Sequence, residues 1–326
     1  MDAPDQMPAT PSAAVHVPVL LDRVLALLAP ALGDRTAVVV DATVGLGGHA
    51  EALLTAHSAL TLVGLDRDRV ALAHSGQRLA RFATRTHLVH AVYDQMPAVL
   101  DELGIPGADG VLFDLGVSSM QLDSAERGFA YAKDAPLDMR MDPDEGVTAA
   151  DVVNTYPVPR LARVLHDYGQ ERFALRVAQA IDRARRVAPL DSTSQLAELV
   201  RDAIPAATRR HGGHPAKRTF QALRIEVNGE LDALRRAVPA ALNALRVNGR
   251  IVVLSYHSLE DRIVKRSFAA LASDTTPTGL PVALAERGPA LRLLSRGETA
   301  SDSEIEANPR SASVRMRAAE RIRESA

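Results

Sequence analysis

Short β-branched runs alternate with helically spaced segments over the first third of the chain. Ala37-Val-Val-Val-Asp41 reads as a strand that ends in an acid and enters the glycine-rich turn Gly45-Leu-Gly47-Gly48, followed by helical composition over 49–57. Leu60-Thr-Leu-Val-Gly-Leu-Asp66 repeats the strand pattern, and positions 68–82 set Val70, Leu72, Ala73 and Leu79 at amphipathic spacing. A strand over 87–90 with a helix over 94–103, then a strand over 110–114, continue the alternation. Four βα-type units in succession predict a parallel, doubly wound α/β sheet, because parallel neighbours are joined by right-handed helical crossovers.

The alternation stops after Ser119. Helical spacing over 149–153, 159–168, 171–187 and 192–203 predicts an all-helical insertion. A long helix ending near Leu245, a turn at Asn248-Gly249 and a strand over 250–256 then resume the sheet, while 290–294 and 313–318 form a closing antiparallel pair. The expected organisation is a flexible tail over 1–18, a first α/β part over 19–124, the helical insertion over 125–212 and a second α/β part over 213–326. A surface loop is expected over 272–280.

At 326 residues the chain exceeds one compact domain, consistent with an insertion. Hydrophobic residues at 47% and charged residues at 24% exclude wholesale disorder. Aromatics are only 3% of the chain, with no Trp, which argues against nucleic-acid binding built on stacking platforms and leaves shape and phosphate recognition open. The lack of cysteine excludes disulfides, thiolate metal sites and cysteine nucleophiles, and makes the cytoplasm the default compartment. Residues 1–18 carry Asp2, Asp5 and four prolines with no apolar run, so neither a secretory signal nor a membrane anchor is expected there. The net charge of −2 is uninformative, but its distribution is not. Arg209, Arg210, Lys217, Arg218 and Arg224 lie in a stretch without acids, and 310–323 holds five arginines against Glu320 alone. Two such clusters favour an anionic partner over a merely solvated surface.

The glycine turn lets backbone approach a ligand closely and aims a helix N-terminus at it. Gly45-x-Gly47-x-x-Ala50 also fits a dinucleotide, with Asp66 at the right distance to hold a ribose; a turn without any ligand is the bland alternative. Asp41 and Asp114, at the ends of neighbouring strands, supply a negative lining that suits a sulfonium with a free amino group better than a pyrophosphate. Asp66 serves either as ribose acceptor or as a helix cap, for which Asp68 is the better candidate. Tyr93 either covers an adenine or is simple core. Phe220, Leu223 and Val227 mark a buried helix face, and His257, just past the fifth strand, is more readily a structural histidine than a site residue. No spacing of His with Asp or Glu points to a metal site.

Longer strings are more specific. They run from His16-Val-Pro-Val-Leu-Leu21 through Asp41-Ala-Thr43, Gly47-Gly-His49, Gly64-Leu-Asp66-Arg-Asp68 and Asp109-Gly-Val-Leu-Phe-Asp114-Leu-Gly-Val-Ser-Ser119. They continue through Gln121-Leu-Asp123, Glu126-Arg-Gly-Phe129, Pro136-Leu-Asp-Met-Arg-Met-Asp142, Glu171-Arg-Phe173, the 214–228 segment, His257-Ser-Leu-Glu-Asp-Arg-Ile-Val-Lys265 and Asn308-Pro-Arg310. Together they resemble the bacterial 16S rRNA cytosine-N4 methyltransferases of the RsmH (MraW) type over nearly the whole chain.

The resemblance implies a class I S-adenosylmethionine-dependent methyltransferase fold, Rossmann-like, with the helical insertion recognising RNA. It implies S-adenosylmethionine as cofactor and, as substrate, N4 of one cytidine in the decoding region of 16S rRNA in the small ribosomal subunit. Carried over by position, cofactor contacts fall on Gly47, Gly48, His49, Asp66, Tyr93, Asp114 and Gln121. In N-methyltransferases of this topology the fourth strand ends in an acid and a turn, so Asp114 is a candidate proton acceptor for the amine; a contact to cofactor alone is the alternative. RNA contacts are expected from Arg209, Arg210, Lys217, Arg218 and His257. No membrane partner is implied, and the oligomeric state stays open, a homodimer included. The chain departs from the family in Tyr93 and Tyr256 for a usual Phe, Gln170 for Glu and Met120 for Pro, and it lacks Lys-Pro within 293–300. A nicotinamide-dependent oxidoreductase and a non-catalytic ribosome-assembly factor remain as other classes.

Overall fold

The computed structural model describes residues 18–33, 35–206, 214–274 and 287–324. Residues 1–17 of the expected 1–18 tail, the expected surface loop beyond Asp274, Arg209 and Arg210 lie outside the described residues.

Seven strands form one sheet: β1 Ala37–Asp41, β2 Leu60–Asp66, β3 Thr86–His90, β4 Ala108–Asp114, β5 Leu245–Ser255, β6 Leu291–Glu298 and β7 Arg315–Arg321. Their order is β3-β2-β1-β4-β5-β7-β6, with β7 antiparallel to both β5 and β6 and the remaining pairs parallel. The chain builds outward from β1 to β3, then returns to lay β4 on the other side of β1. That reversal opens a crevice beyond the carboxyl ends of β1 and β4, the place where doubly wound sheets bind ligands.

The central strands are buried on both faces, which is why they read as continuous β-branched runs. Val40, Val63, Val111, Phe113 and Val253 pack beneath helix Glu230–Ala244, while Val39, Leu62, Leu112 and Val252 pack against helices Leu21–Leu32 and Gly48–Ala56. A third apolar cluster belongs to the helical segment and runs from Phe129 to Leu223. Helix Lys217–Asn228 contributes Phe220, Ala222 and Leu223 to it.

Three details differ from the sequence reading. The long helix ending near Leu245 is Glu230–Ala244, and its boundary with helix Lys217–Asn228, which the spacing does not mark, is Gly229 at φ 59°, a left-handed position that glycine enters without steric cost. The expected turn at Asn248-Gly249 is an irregularity inside β5: Asn248 has φ 69°, and the pairing with β4 shifts between Ala108 and Gly110. Helices Leu21–Leu32 and Ser258–Leu271 were not read from periodicity. The first buries Val24, Leu27, Leu28, Ala31 and Leu32, a helical stripe obscured by Pro30 near its end.

Candidate active site

The glycine turn sits where β1, β2 and β4 end. Gly45 and Gly47 are left-handed, at φ 51° and 76°, and the Asp66 carboxylate ties the turn to β2. Asp66 Oδ2 accepts from the Gly45 amide at 2.8 Å and Oδ1 from the Asp68 amide at 2.9 Å. Gly48 begins helix Gly48–Ala56, and a Cβ there would lie 2.5 Å from Pro18 Cγ, so its bareness lets the Pro18-Val19 segment cross the turn. His49 secures that crossing through Nε2, 3.0 Å from the Val19 carbonyl oxygen, while Nδ1 lies 3.7 Å from Asp114 Oδ2.

A cavity of about 490 Å³ opens beside the turn. Gly48, His49, Asp66, Tyr93, Asp114 and Gln121 line it together, with Lys217 and His257 on the side formed by the later helices. Gly47 is not on the wall; a Cβ there would meet Ser75 Cβ at 3.2 Å, so it serves the packing of the turn against helix Arg69–Arg78. Arg218 is also off the wall, exposed, and donates to the Gln170 carbonyl at 3.3 Å. Asp41, read from sequence as part of the negative lining, is buried beneath the wall, only 2% exposed.

The acids are uncomfortable in this setting. Burial above all, with the charges of Asp114 and Asp66 adding to it, pushes the Asp41 carboxyl up to about 7 against the opposing Thr43 amide. Burial likewise pushes Asp66 up to about 6, although the Asp68 and Gly45 amides pull the other way. A ligand that brings a positive centre and a diol relieves both: the charge favours the ionised acids, and hydroxyls donate to the free lone pairs of Asp66. Among the described residues no three His, Cys, Asp or Glu groups are placed to hold a metal ion.

Tyr93 forms an apolar wall, its ring edge-on to Phe113 at 5.7 Å and its hydroxyl donating to the Glu230 carbonyl at 3.0 Å. Burial, chiefly, raises its pKa and keeps it a neutral phenol. Gln121 is 5% exposed, and its amide is engaged: Nε2 donates to Asp68 Oδ2 at 2.9 Å and Oε1 accepts from the Ser118 amide at 3.0 Å. It closes the capping box of helix Ser119–Asp123. Asp68 is the cap of helix Arg69–Arg78, accepting from the Val70 amide at 3.0 Å, and Arg127 Nη2 donates to its second oxygen at 3.0 Å. His257 caps helix Ser258–Leu271, with Nδ1 accepting from the Glu260 amide at 3.4 Å and Nε2 3.2 Å from Glu260 Oε1.

Asp114 meets Tyr256, whose hydroxyl donates to Oδ1 at 2.7 Å. Sequence reading noted Tyr256 only as a departure from Phe and did not connect it with Asp114. It placed Arg224 in the basic cluster but not in the site, where the arginine reaches the cavity and forms a two-pronged pair with Glu230 at 2.8 and 3.0 Å. No periodicity signals an ion pair that straddles a helix break.

A profile described as the MraW methylase family matches residues 13–322. The chain belongs to the MraW methylase family. It is 63% identical over 327 residues to a ribosomal RNA small subunit methyltransferase H of Thermobifida fusca, covering 99% of both chains. It is similar to the protein of the same description from Saccharopolyspora erythraea, at 64% over 311 residues, covering 95% of this chain and 94% of the relative. It also resembles that of Streptomyces avermitilis, at 60% over 312 residues, covering 95% and 98%. As an MraW methylase the protein has a class I methyltransferase fold and takes its methyl group from S-adenosylmethionine, which suits the acids and glycine turn described above. Among the described residues no helix is long and apolar enough to cross a membrane.

Proposed function

We propose that the protein methylates N4 of a cytidine in the decoding region of 16S rRNA, acting in the cytoplasm on the small ribosomal subunit. The observation that carries this reading is Asp114 at the end of β4, facing the same cavity as the glycine turn and Asp66. The relatives' description as small-subunit rRNA methyltransferases supports the substrate.

S-adenosylmethionine supplies a methyl group made electrophilic by a positively charged sulfur. Asp66 would receive the ribose hydroxyls, Tyr93 would cover the adenine, and the start of helix Gly48–Ala56 would face the carboxylate. Gly47 shapes that turn from behind, His49 holds the crossing segment in place, and Gln121 steadies Asp68 and the Ser118 loop.

Cytosine's exocyclic amine is a weak nucleophile because its lone pair is delocalised into the ring. Asp114 accepts a hydrogen bond from one of its N–H groups, returns electron density to the nitrogen and takes that proton as the N–C bond forms and the methyl group's bond to sulfur breaks, its electrons staying with sulfur. The base must leave its stack to enter the cavity, at about a few kcal/mol, offset by cationic contacts to the RNA backbone. Lys217 on the cavity wall provides one such contact, with Arg218 and the helical segment extending the surface and His257 bordering it, and Arg209 and Arg210 are proposed as further contacts from the sequence alone.

The test is mass spectrometry of 16S rRNA after incubating small subunits from a deletion strain with the purified protein and methyl donor. N4-methylcytidine in the decoding region is expected, and Asp114→Asn lowers the rate by about 10²- to 10⁴-fold. Methyl groups found on another base or on ribose would sink the proposal.

A further inference from the structure

Asp114 does not face the cavity alone. Tyr256 follows β5, the neighbour of β4, and both residues line the cavity. The tyrosine is fixed from three directions. Its hydroxyl is bound to Asp114 Oδ1 at 2.7 Å, its backbone amide donates to the buried Glu260 at 2.8 Å, and its ring lies along Gly116. At Gly116 a Cβ would come within 3.4 Å of the ring atom Cδ2, the near limit of ordinary contact. Burial first, then the charge of Asp114, raises the phenol's pKa, so it stays protonated.

A phenol that gives its single hydrogen to a carboxylate has only lone pairs left to offer a ligand. Its oxygen is also made a better acceptor by the negative charge it donates to. An ionised Asp114 is an acceptor too. The cavity wall at the end of β4 and β5 therefore presents two adjacent acceptors, Tyr256 Oη and Asp114 Oδ2.

We propose that Tyr256 and Asp114 form a two-acceptor clamp for an exocyclic –NH₂ group, making Tyr256 a specificity-determining substrate contact that admits cytosine and turns away uracil. The proposal rests on the cytosine-N4 reading above. An amino group brings two hydrogens and satisfies both oxygens. A carbonyl oxygen brings none and sets its own lone pairs against those of both oxygens, a repulsion that an amino group replaces with two hydrogen bonds. Binding both hydrogens also fixes the amine's plane and points the face of the nitrogen toward the methyl donor. Because the resemblance leads to Phe at this position, the clamp is an addition in this chain's site, and its signature is discrimination more than rate.

The experiment uses the full chain with Tyr256→Phe, which keeps the ring against Gly116 and removes only the hydroxyl. Affinity is measured for small subunits carrying cytidine or uridine at the target position, in the presence of S-adenosylhomocysteine, whose own affinity is measured separately by calorimetry. The expected result is a wild-type preference for cytidine that falls by about five- to tenfold in the variant, with S-adenosylhomocysteine affinity unchanged. A preference unchanged in Tyr256→Phe overturns the clamp while leaving the cytosine reading standing. A preference that falls only in step with lost S-adenosylhomocysteine affinity makes the residue structural and also overturns it. If wild-type protein itself does not distinguish cytidine from uridine, the clamp fails, and the cytosine-N4 reading stands or falls separately on the mass spectrometry of 16S rRNA.

Discussion

Cofactor affinity should rise steeply between pH 5 and pH 7, and Asp66 sets the size of the rise. Its carboxyl is raised from 3.8 to about 6 by burial. With a midpoint near 6, the group is about one-tenth ionised at pH 5 and about nine-tenths at pH 7. If the ribose and the ligand's positive charge require the ionised form, affinity for S-adenosylmethionine climbs about tenfold over that interval and then levels off. Asp41, raised to about 7, extends the climb toward pH 8 through the charge of the ligand. S-adenosylhomocysteine lacks the sulfonium charge, so its curve should be shallower. The sign for stability is the reverse in the free protein. Both acids have raised folded pKa values, so their contribution is complete below 3.8 and is lost as pH rises through about 6 and about 7. Bound cofactor restores it. Calorimetry from pH 5 to 8 in buffers of different ionisation enthalpy counts the protons, and near pH 6 binding releases about half a proton from Asp66. Asp66→Asn should flatten the profile. Affinity independent of pH, or proton uptake on binding, would refute both the charge argument and the ribose assignment.

Three further outcomes follow from particular contacts. Arg127→Met leaves the fully buried Asp68 carboxylate without its cation and should destabilise the fold by about 3–5 kcal/mol, read from urea midpoints; Asp68→Asn in the same chain should recover part of that loss. Gly48→Ala drives a methyl group into Pro18, so cofactor affinity should drop at least several-fold in calorimetry while the urea midpoint holds, alanine being a good helix residue; unchanged affinity would show that the Pro18-Val19 crossing plays no part in binding. Lys217→Ala should reduce the slope of log affinity for RNA against log salt by about 0.7–0.9, the release of one counterion, and an unchanged slope would remove Lys217 from the RNA surface.

Much of the α/β framework was legible because its signals are local. β1 and β2 have the bounds that their β-branched runs indicate, since strands buried on both faces leave no polar residue to blur the ends. The helix break at Gly229 was harder, because the apolar spacing runs straight through it and only the φ of one residue separates two helices that serve different cores. Asn248 was misplaced for the opposite reason: a turn-forming pair stands inside a strand whose pairing accommodates a bulge. In the site, acids at strand ends were readable, but which of them reaches the cavity was not. Asp41 pairs with Leu112, so β4 carries Asp114 two residues farther along than the end of β1. That offset, a property of register, puts one acid on the wall and the other beneath it. Gln121 had a readable local role, since Ser118-x-x-Gln121 is a capping box, but its bond to Asp68 is long-range and invisible in either segment.

The end of β2 connects the two halves of the proposed reaction. Asp66 faces the cavity, holding Gly45. Arg67 donates to the Asn228 carbonyl at 2.7 Å, and Asn228 in turn accepts from the Met141 amide and donates to the Met139 carbonyl, both at 2.8 Å. Asp68 holds Arg127, whose guanidinium also donates to the carbonyls of Arg140 and Met141. Three consecutive residues therefore grip the glycine turn on one side and the helical segment's 127–141 loop on the other. The side chains and backbone involved are largely buried, so the helical segment cannot slide over the sheet without breaking charge-assisted bonds at the cofactor turn. Under the proposed reaction, a base delivered by the helical segment would be registered against a methyl donor held by the sheet through one short stretch of chain, which would make Gly64-Leu-Asp66-Arg-Asp68 and Glu126-Arg-Gly-Phe129, far apart in sequence, one functional unit.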